Sequence, residues 1–250
     1  MMAGFGDLIY VLQKQASRKI NTRDDLMTKT FETDVIPTSA GDLAITFIGH
    51  GSLMMAFNGK TIHIDPVSSE ADYASLPKAD LVFLTHEHSD HMDGDALAKV
   101  RTDRTILVLT ELCAAQIEGG IVMRNGEAQT IDGLKVEAVA AYNLVHKRSN
   151  GGVFHPKGNG NGYILNFGDT RVYVAGDTEN TPEMKGLQNI AIAFLPMNLP
   201  YTMTPEMVAD AARAFRPRIL YPYHFGKTDT SKIVELLDGE DVEVRLRKLA

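Results

Sequence analysis

The chain has 250 residues, 44% apolar and 23% charged, with a formal net charge of −7. That length buries a substantial core without disulfide staples, and the composition is that of an ordinary globular protein. The negative balance disfavours a nucleic-acid partner, which wants a basic surface. Cys113 is the only cysteine, so no internal disulfide forms. It lies in an apolar, helix-like stretch and reads as a buried, unreactive thiol, which fits a reducing compartment. No apolar run reaches the roughly 18 residues a membrane span needs. Residues 1–12 lack the basic leader and apolar centre of a secretory signal. These features predict a soluble, cytoplasmic protein.

Residues 7–19 predict a short helix, and the polar stretch from Ser17 to Pro37 reads as a linker or surface arm. On that reading residues 1–40 form an N-terminal helix and arm, followed by one domain over 41–250. From Leu43 the texture changes to short apolar segments divided by Gly and Asn. Strands are predicted over Leu43–Gly49, Leu53–Phe57 and Thr61–Asp65, with Asn58-Gly59 as a hairpin turn. The continuous apolar run Leu81-Val82-Phe83-Leu84-Thr85 reads as a buried strand. A helix near Gly94–Val100, a strand over Ile106–Leu109 and a helix around Glu111–Ile117 follow. Residues 128–141 are strand-rich, and Phe167-Gly168-Asp169 turns Tyr163–Asn166 back onto Val172–Ala175. The last third alternates: strand Ile190–Leu195, helix Pro205–Phe215, strand Ile219–Tyr221, helix Ser231–Leu237, strand Val242–Leu246. Two strand-rich regions, each followed by helices, predict an α/β fold of two packed sheets with helices outside.

Directly after the buried strand comes His86-Glu87-His88-Ser89-Asp90-His91, where four of six residues are metal ligands by type. In an extended chain His86 and His88 share a face. A turn at Ser89 lets Asp90 and His91 approach from a second direction. Imidazoles then serve one ion, and a carboxylate with an imidazole serves a neighbour. Such donors suit zinc and other first-row transition metals. The bland alternative is a polar loop whose histidines cap the next helix; four ligand types in six residues outweigh it.

The pattern H-x-H-x-D-H resembles the metallo-β-lactamase superfamily of metal-dependent hydrolases. The likeness is greatest to its ascorbate-6-phosphate lactonase-like and N-acylphosphatidylethanolamine phospholipase D-like branch, and runs from about Leu43 to Gly226. It implies a four-layered αβ/βα sandwich of two mixed β-sheets with helices on the outer faces. It also implies that Asp177, in Gly176-Asp177-Thr178, bridges two ions, and that His224 supplies the last imidazole. Where related enzymes place a histidine after the middle strand, this chain has Asn143. The third ligand of metal one then falls to His155, in His155-Pro156-Lys157-Gly158, or to its rival His146. His155 is preferred, because similar sequences pair Ala-Tyr-Asn with His-Pro-Lys-Gly. The implied sets are His86, His88 and His155 for metal one, and Asp90, His91 and His224 for metal two, with Asp177 shared. Asp65 either orients a ligand histidine by hydrogen bond or turns the chain at Asp65-Pro66. His63 alternates with Ile62 and Ile64 and receives no role. His50, between Gly49 and Gly51, either approaches the site or, the preferred reading, is a structural turn residue.

The chemistry so implied is hydrolysis by a hydroxide that two divalent ions activate, zinc first, with manganese, iron or nickel as alternatives. Asp90 or Asp177 would pass a proton to the leaving group. The expected substrate is a small ester, lactone or phosphate-bearing compound. The alternatives are a phosphodiesterase on lipid-like or nucleotide-like substrates, and a metal-binding sensor or scaffold without turnover. A zinc β-lactamase is disfavoured, since its cysteine ligand has no counterpart near Asp177. Asn143, Lys157, Asn198 and Tyr201 are the expected substrate contacts, on loops at strand ends. Lys147, Arg148 and Lys157 would meet a phosphate or carboxylate, or else are simply solvated loop cations, the blander and slightly preferred reading.

Overall fold

The computed structural model describes residues 30–250, so the helix expected over residues 7–19 lies outside the described residues. The described residues form two seven-stranded sheets. The first runs in order β1 (Glu32–Thr38), β2 (Gly41–Gly49), β3 (Ser52–Phe57), β4 (Lys60–Ile64), β5 (Leu81–Phe83), β6 (Ile106–Leu109), β7 (Ile121–Val122). The second comprises β8 (Ala128–Ile131), β9 (Leu134–Ala141), β10 (Gly160–Phe167), β11 (Thr170–Val174), β12 (Ile192–Pro196), β13 (Ile219–Tyr223) and β14 (Glu243–Val244), again neighbouring in chain order. Each sheet starts as an antiparallel meander of four strands and continues with parallel strands. Tight turns suffice for the first kind of pairing, whereas parallel neighbours need longer crossovers. Asn58-Gly59 closes β3 onto β4 with φ of 49° and 77°, the left-handed pair a two-residue hairpin requires.

Alternation along the strands decides what each face buries. Leu43, Ile45 and Phe47 of β2, Met55 of β3, Ile62 and Ile64 of β4, and Leu81 and Phe83 of β5 point between the sheets. They meet Val136, Tyr163, Leu165, Phe167, Phe194 and Tyr221 from the second sheet. Ile48, Val82, Leu84 and Leu107 face outward instead, against helix α1 (Gly94–Val100) and helix α2 (Glu111–Ala114). β5 is buried on both faces, which is why its sequence is continuously apolar rather than alternating. On the other outer face Ile164, Tyr173, Ala193 and Leu195 pack beneath α3 (Pro182–Lys185), α4 (Pro205–Phe215) and α5 (Ser231–Leu236). Each large apolar side chain so buried contributes roughly 1.5–3 kcal/mol. α1 starts where Asp93 Oδ1 accepts from the amides of Asp95 (2.8 Å) and Ala96 (3.2 Å). α4 has Thr204 as its cap and Pro205 at its first position. The layering is the αβ/βα sandwich anticipated from sequence.

Several element ends differ from the expectation. The arm predicted to reach Pro37 ends sooner, because residues 32–38 form β1. Its β-branched Thr33, Val35, Ile36 and Thr38 favour a strand, and Pro37 is tolerated because β1 is an edge. β7 and α3 carry too few residues to leave a periodic signal. The last predicted strand contracts to Glu243–Val244.

Candidate metal centre

β2, β4 and β5 point one way in their sheet, and β9, β11, β12 and β13 share one direction in theirs. The residues just past their carboxyl ends form the site. His50 follows β2, Asp65 follows β4, and the stretch His86–His91 follows β5. Asn143 follows β9, Asp177 follows β11, Asn198 follows β12 and His224 follows β13. His50, Asp65 and His224 adopt left-handed backbone, with φ of 50°, 45° and 46°. Such conformations cost of order 1–3 kcal/mol each and collect at functional sites, where the surroundings hold them in place. Gly176 at φ 65° precedes Asp177, and a Cβ there would stand 2.9 Å from the Asn161 carbonyl.

Ligand-type atoms gather in three overlapping groups, each within 4.8 Å: His86, His88 and His155; His50, Asp90, His91 and His224; and His86, His91 and Asp177. Asp177 lies between the first two, and its oxygens divide. Oδ2 is 3.2 Å from His155 Nε2 and 4.0 Å from His86 Nε2. Oδ1 is 3.3 Å from His91 Nε2 and 3.4 Å from His224 Nε2. Asp90 Oδ2 stands 3.5 Å from His224 Nε2 and 3.4 Å from His50 Nε2.

Hydrogen bonds behind the histidines fix which nitrogen faces the cleft. His91 Nδ1 donates to Asp65 Oδ2 at 2.8 Å, since a carboxylate oxygen only accepts. Thr85 Oγ1 gives its one proton to the same oxygen at 2.6 Å, leaving a lone pair for His86 Nδ1 at 3.0 Å. His155 Nδ1 donates to the amide oxygen of Asn143 at 2.8 Å. In all three rings Nε2 is therefore the nitrogen that faces the cleft, that of His86 lying 3.2 Å from His88 Nδ1. Gly51 is required beside them: a Cβ there would lie 2.7 Å from His91 Cε1.

The electrostatics are those of a ligand cage. Burial, followed by the charge on His91, pushes His86 well below the ordinary histidine range, so its nitrogen keeps a free lone pair. Burial disfavours charge on His91 as well, but Asp177 and then Asp65 hold it well above that range. Burial opposes ionisation of Asp177, yet the charges of His224 and His91 draw it well below the usual carboxylate range. Asp90 is drawn down the same way, against burial, by the neighbouring imidazoles of His224 and His50. His91 Nε2, Asp177 Oδ1 and both nitrogens of His224 are buried without a hydrogen-bond partner. Buried polar atoms are almost always satisfied. A convergent set that is not, made of imidazole and carboxylate donors, fits divalent cations.

The structure separates the two rivals for metal one. His155 lies with His86 and His88, whereas His146 Nδ1 is turned onto Glu179 Oε1 at 2.7 Å and belongs to none of the three groups. Asn143 is buried behind His155 and does not line the open cleft, so its expected substrate contact gives way to a hold on that histidine. Lys157 is also displaced from the expected role: its Nζ pairs with Glu183 at 2.6 Å and sits over the Tyr142 ring. Asn198 and Tyr201 do line the cleft, a cavity of about 410 Å³ shared with Arg148 and Phe154. His63 is buried on the face away from the site, against Tyr73. His50 and Glu179 were not singled out by sequence reasoning as site residues. For His50 the flanking glycines were the signal; a lone glutamate after Gly-Asp-Thr carries none.

Comparison with known proteins agrees with this geometry. Residues 44–224 match the Beta-lactamase superfamily domain. A UPF0173 metal-dependent hydrolase of Thermococcus onnurineus is 32% identical over 196 residues, covering 72% of this chain and 84% of the relative. The crystal structure of a protein described as a metal-dependent hydrolase from Parabacteroides distasonis is 46% identical, with a TM-score of 0.85. That match covers 88% of this chain and all of the other. A Thermotoga maritima protein of the metallo-β-lactamase superfamily, 17% identical with a TM-score of 0.54, shares the fold over 81% of this chain and 96% of its own. The chain belongs to the β-lactamase superfamily and, within it, to the UPF0173 metal-dependent hydrolases. No helix among the described residues is long and apolar enough to cross a membrane.

Proposed function

We propose that the chain is a two-metal hydrolase of small esters, lactones or phosphate-bearing compounds. His86, His88 and His155 would hold one divalent ion, Asp90, His91 and His224 the other, with Asp177 shared. The observation that carries the reading is the division of the Asp177 carboxylate between two ligand groups. When bound, such a pair of ions lowers the pKa of a water toward neutrality and polarises the carbonyl or phosphoryl oxygen under attack. Zinc suits the imidazole-rich set best, and manganese, iron and nickel share its ligand chemistry.

The protein's own contribution is positioning and proton handling. Asp65, Thr85 and Asn143 hold three imidazoles with Nε2 inward, so little reorganisation is needed on binding. Asp90, half exposed in the cleft and ionised at neutral pH, would carry a proton to the leaving group on Oδ1, the oxygen not turned to His224 and His50. Phe154 and Tyr201, packed edge to face with centroids 5.1 Å apart, wall one side of the cleft. Arg148, stacked on Phe154, supplies a cation at the rim that would meet an anionic group on the substrate.

The test is hydrolysis by zinc-loaded protein across a panel of p-nitrophenyl esters, lactones, phosphomonoesters and phosphodiesters. Turnover on one class, abolished by chelation and restored by zinc, is the expected result. Stoichiometric zinc without turnover on any class would favour a sensor or scaffold.

A further inference from the structure

Glu179 is completely buried, two residues past Asp177, and has no role in the chemistry above. Its carboxylate is wrapped by one short stretch of chain. Oε2 accepts from the amides of Leu144 at 2.7 Å and Val145 at 2.6 Å. Oε1 accepts from the amide of His146 at 2.8 Å, from His146 Nδ1 at 2.7 Å and from Asn143 Nδ2 at 3.1 Å. Five donors saturate a carboxylate, and a buried carboxylate left short of partners is strongly disfavoured. Asn143 is in turn fixed: its Nδ2 also reaches the Tyr201 carbonyl at 2.9 Å, so its amide cannot flip. Its oxygen is then committed to His155, accepting from both the backbone N (2.7 Å) and Nδ1 (2.8 Å).

We propose that Glu179 is a positioning residue for the metal centre, acting through Asn143 to set the tautomer and direction of His155. The inference deepens the two-ion reading above and rests on it. The chain thereby uses one device in two forms. A carboxylate, Asp65, orients His91 directly, whereas on the opposite sheet a carboxylate orients His155 through an intervening amide. Asp177 and its neighbour Glu179 thus come from one segment, which offers an oxygen to the ions and anchors the loop that brings the third imidazole. It also explains His146, whose ring completes the cradle around Glu179 rather than the ligand set.

The experiment compares wild type with Glu179→Gln, Asn143→Ala and His146→Ala by zinc affinity in chelator competition, visible spectrum of the cobalt-substituted protein, and melting temperature. Glutamine offers one oxygen and turns an NH2 toward groups that already donate. Glu179→Gln and Asn143→Ala are expected to weaken one of two zinc ions about 10–100-fold and to change the cobalt bands. The double variant should weaken zinc no further than the worse single one, since both act along one path. His146→Ala removes one of the five donors to Glu179 and should weaken zinc less than either of the other two. If Glu179→Gln does not fold, Glu179→Asp, which keeps the charge and shortens its reach to Asn143, takes its place. Wild-type zinc affinity and cobalt spectrum in both the Glu179 and Asn143 variants, whatever their melting temperature, would overturn the proposal, as would a zinc loss in His146→Ala larger than in Glu179→Gln. Wild-type zinc content, measured first, separates the two levels: an empty wild type overturns the two-ion reading as well, a loaded wild type matched by its variants overturns only this one.

Discussion

The space between the sheets and the rim at their carboxyl ends are built on opposite rules. Between the sheets Phe194 stacks on Tyr221 at 4.9 Å and tilts against Phe47 at 6.3 Å, among aliphatic neighbours that leave few polar atoms to satisfy. At the rim, four buried nitrogen and oxygen atoms of His91, Asp177 and His224 have no hydrogen-bond partner, and three residues carry left-handed backbone. The interior supplies stability that the rim spends, and the rim is tolerable only because the strands beneath it are rigid. The difference teaches that damage to the two regions should separate: core changes alter stability, and rim changes alter metal binding.

The largest separable effect is expected in the core. Phe194→Ala should cost about 3–5 kcal/mol of unfolding free energy, yet the folded fraction should bind zinc in wild-type ratio. Denaturant titration with metal analysis of the folded protein checks this; loss of zinc in step with stability would merge the two regions. Next comes Asp65→Asn, which puts an NH2 where His91 and Thr85 donate. It should weaken zinc about 10–100-fold, read by chelator competition.

How much of this was legible in the sequence follows from the same contrast. His86, His88, Asp90 and His91 stand within one six-residue stretch after an apolar strand, so spacing alone exposed them. Asp177 and His224, each just past a predicted strand, became legible only through the family resemblance. The choice between His155 and His146 was not, because both lie in the loop between β9 and β10 and only the third dimension shows that Glu179 captures one of them. His50 went unassigned because its neighbours in space are 40 and 174 residues away, at Asp90 and His224. β1 was hidden by its polar, solvent-facing residues and by Pro37, which an edge strand accommodates and a central one would not.

The smallest effect concerns the join between the sheets. Asp34 of β1 accepts from Tyr221 Oη at 2.5 Å and from Arg247 Nη2 at 2.7 Å, with Arg245 Nη1 at 3.3 Å. Burial opposes its ionisation, but Arg247 and Tyr221 outweigh that and lower its pKa. A lowered carboxylate stabilises the fold above the ordinary pKa, and the contribution fades as pH falls through the folded value. Asp34→Asn should therefore cost about 1–3 kcal/mol at pH 7, shrinking as pH falls below about 4. Zinc binding should not change. Unfolding curves across pH test it, and a cost that grew with acidity would reverse the sign.

The most direct measurement is the zinc content of dialysed wild type beside Asp177→Ala, both shown folded by circular dichroism. A shared carboxylate predicts two equivalents per chain in wild type and the loss of both in the variant. Two equivalents retained by Asp177→Ala, or none held by wild type, would contradict it.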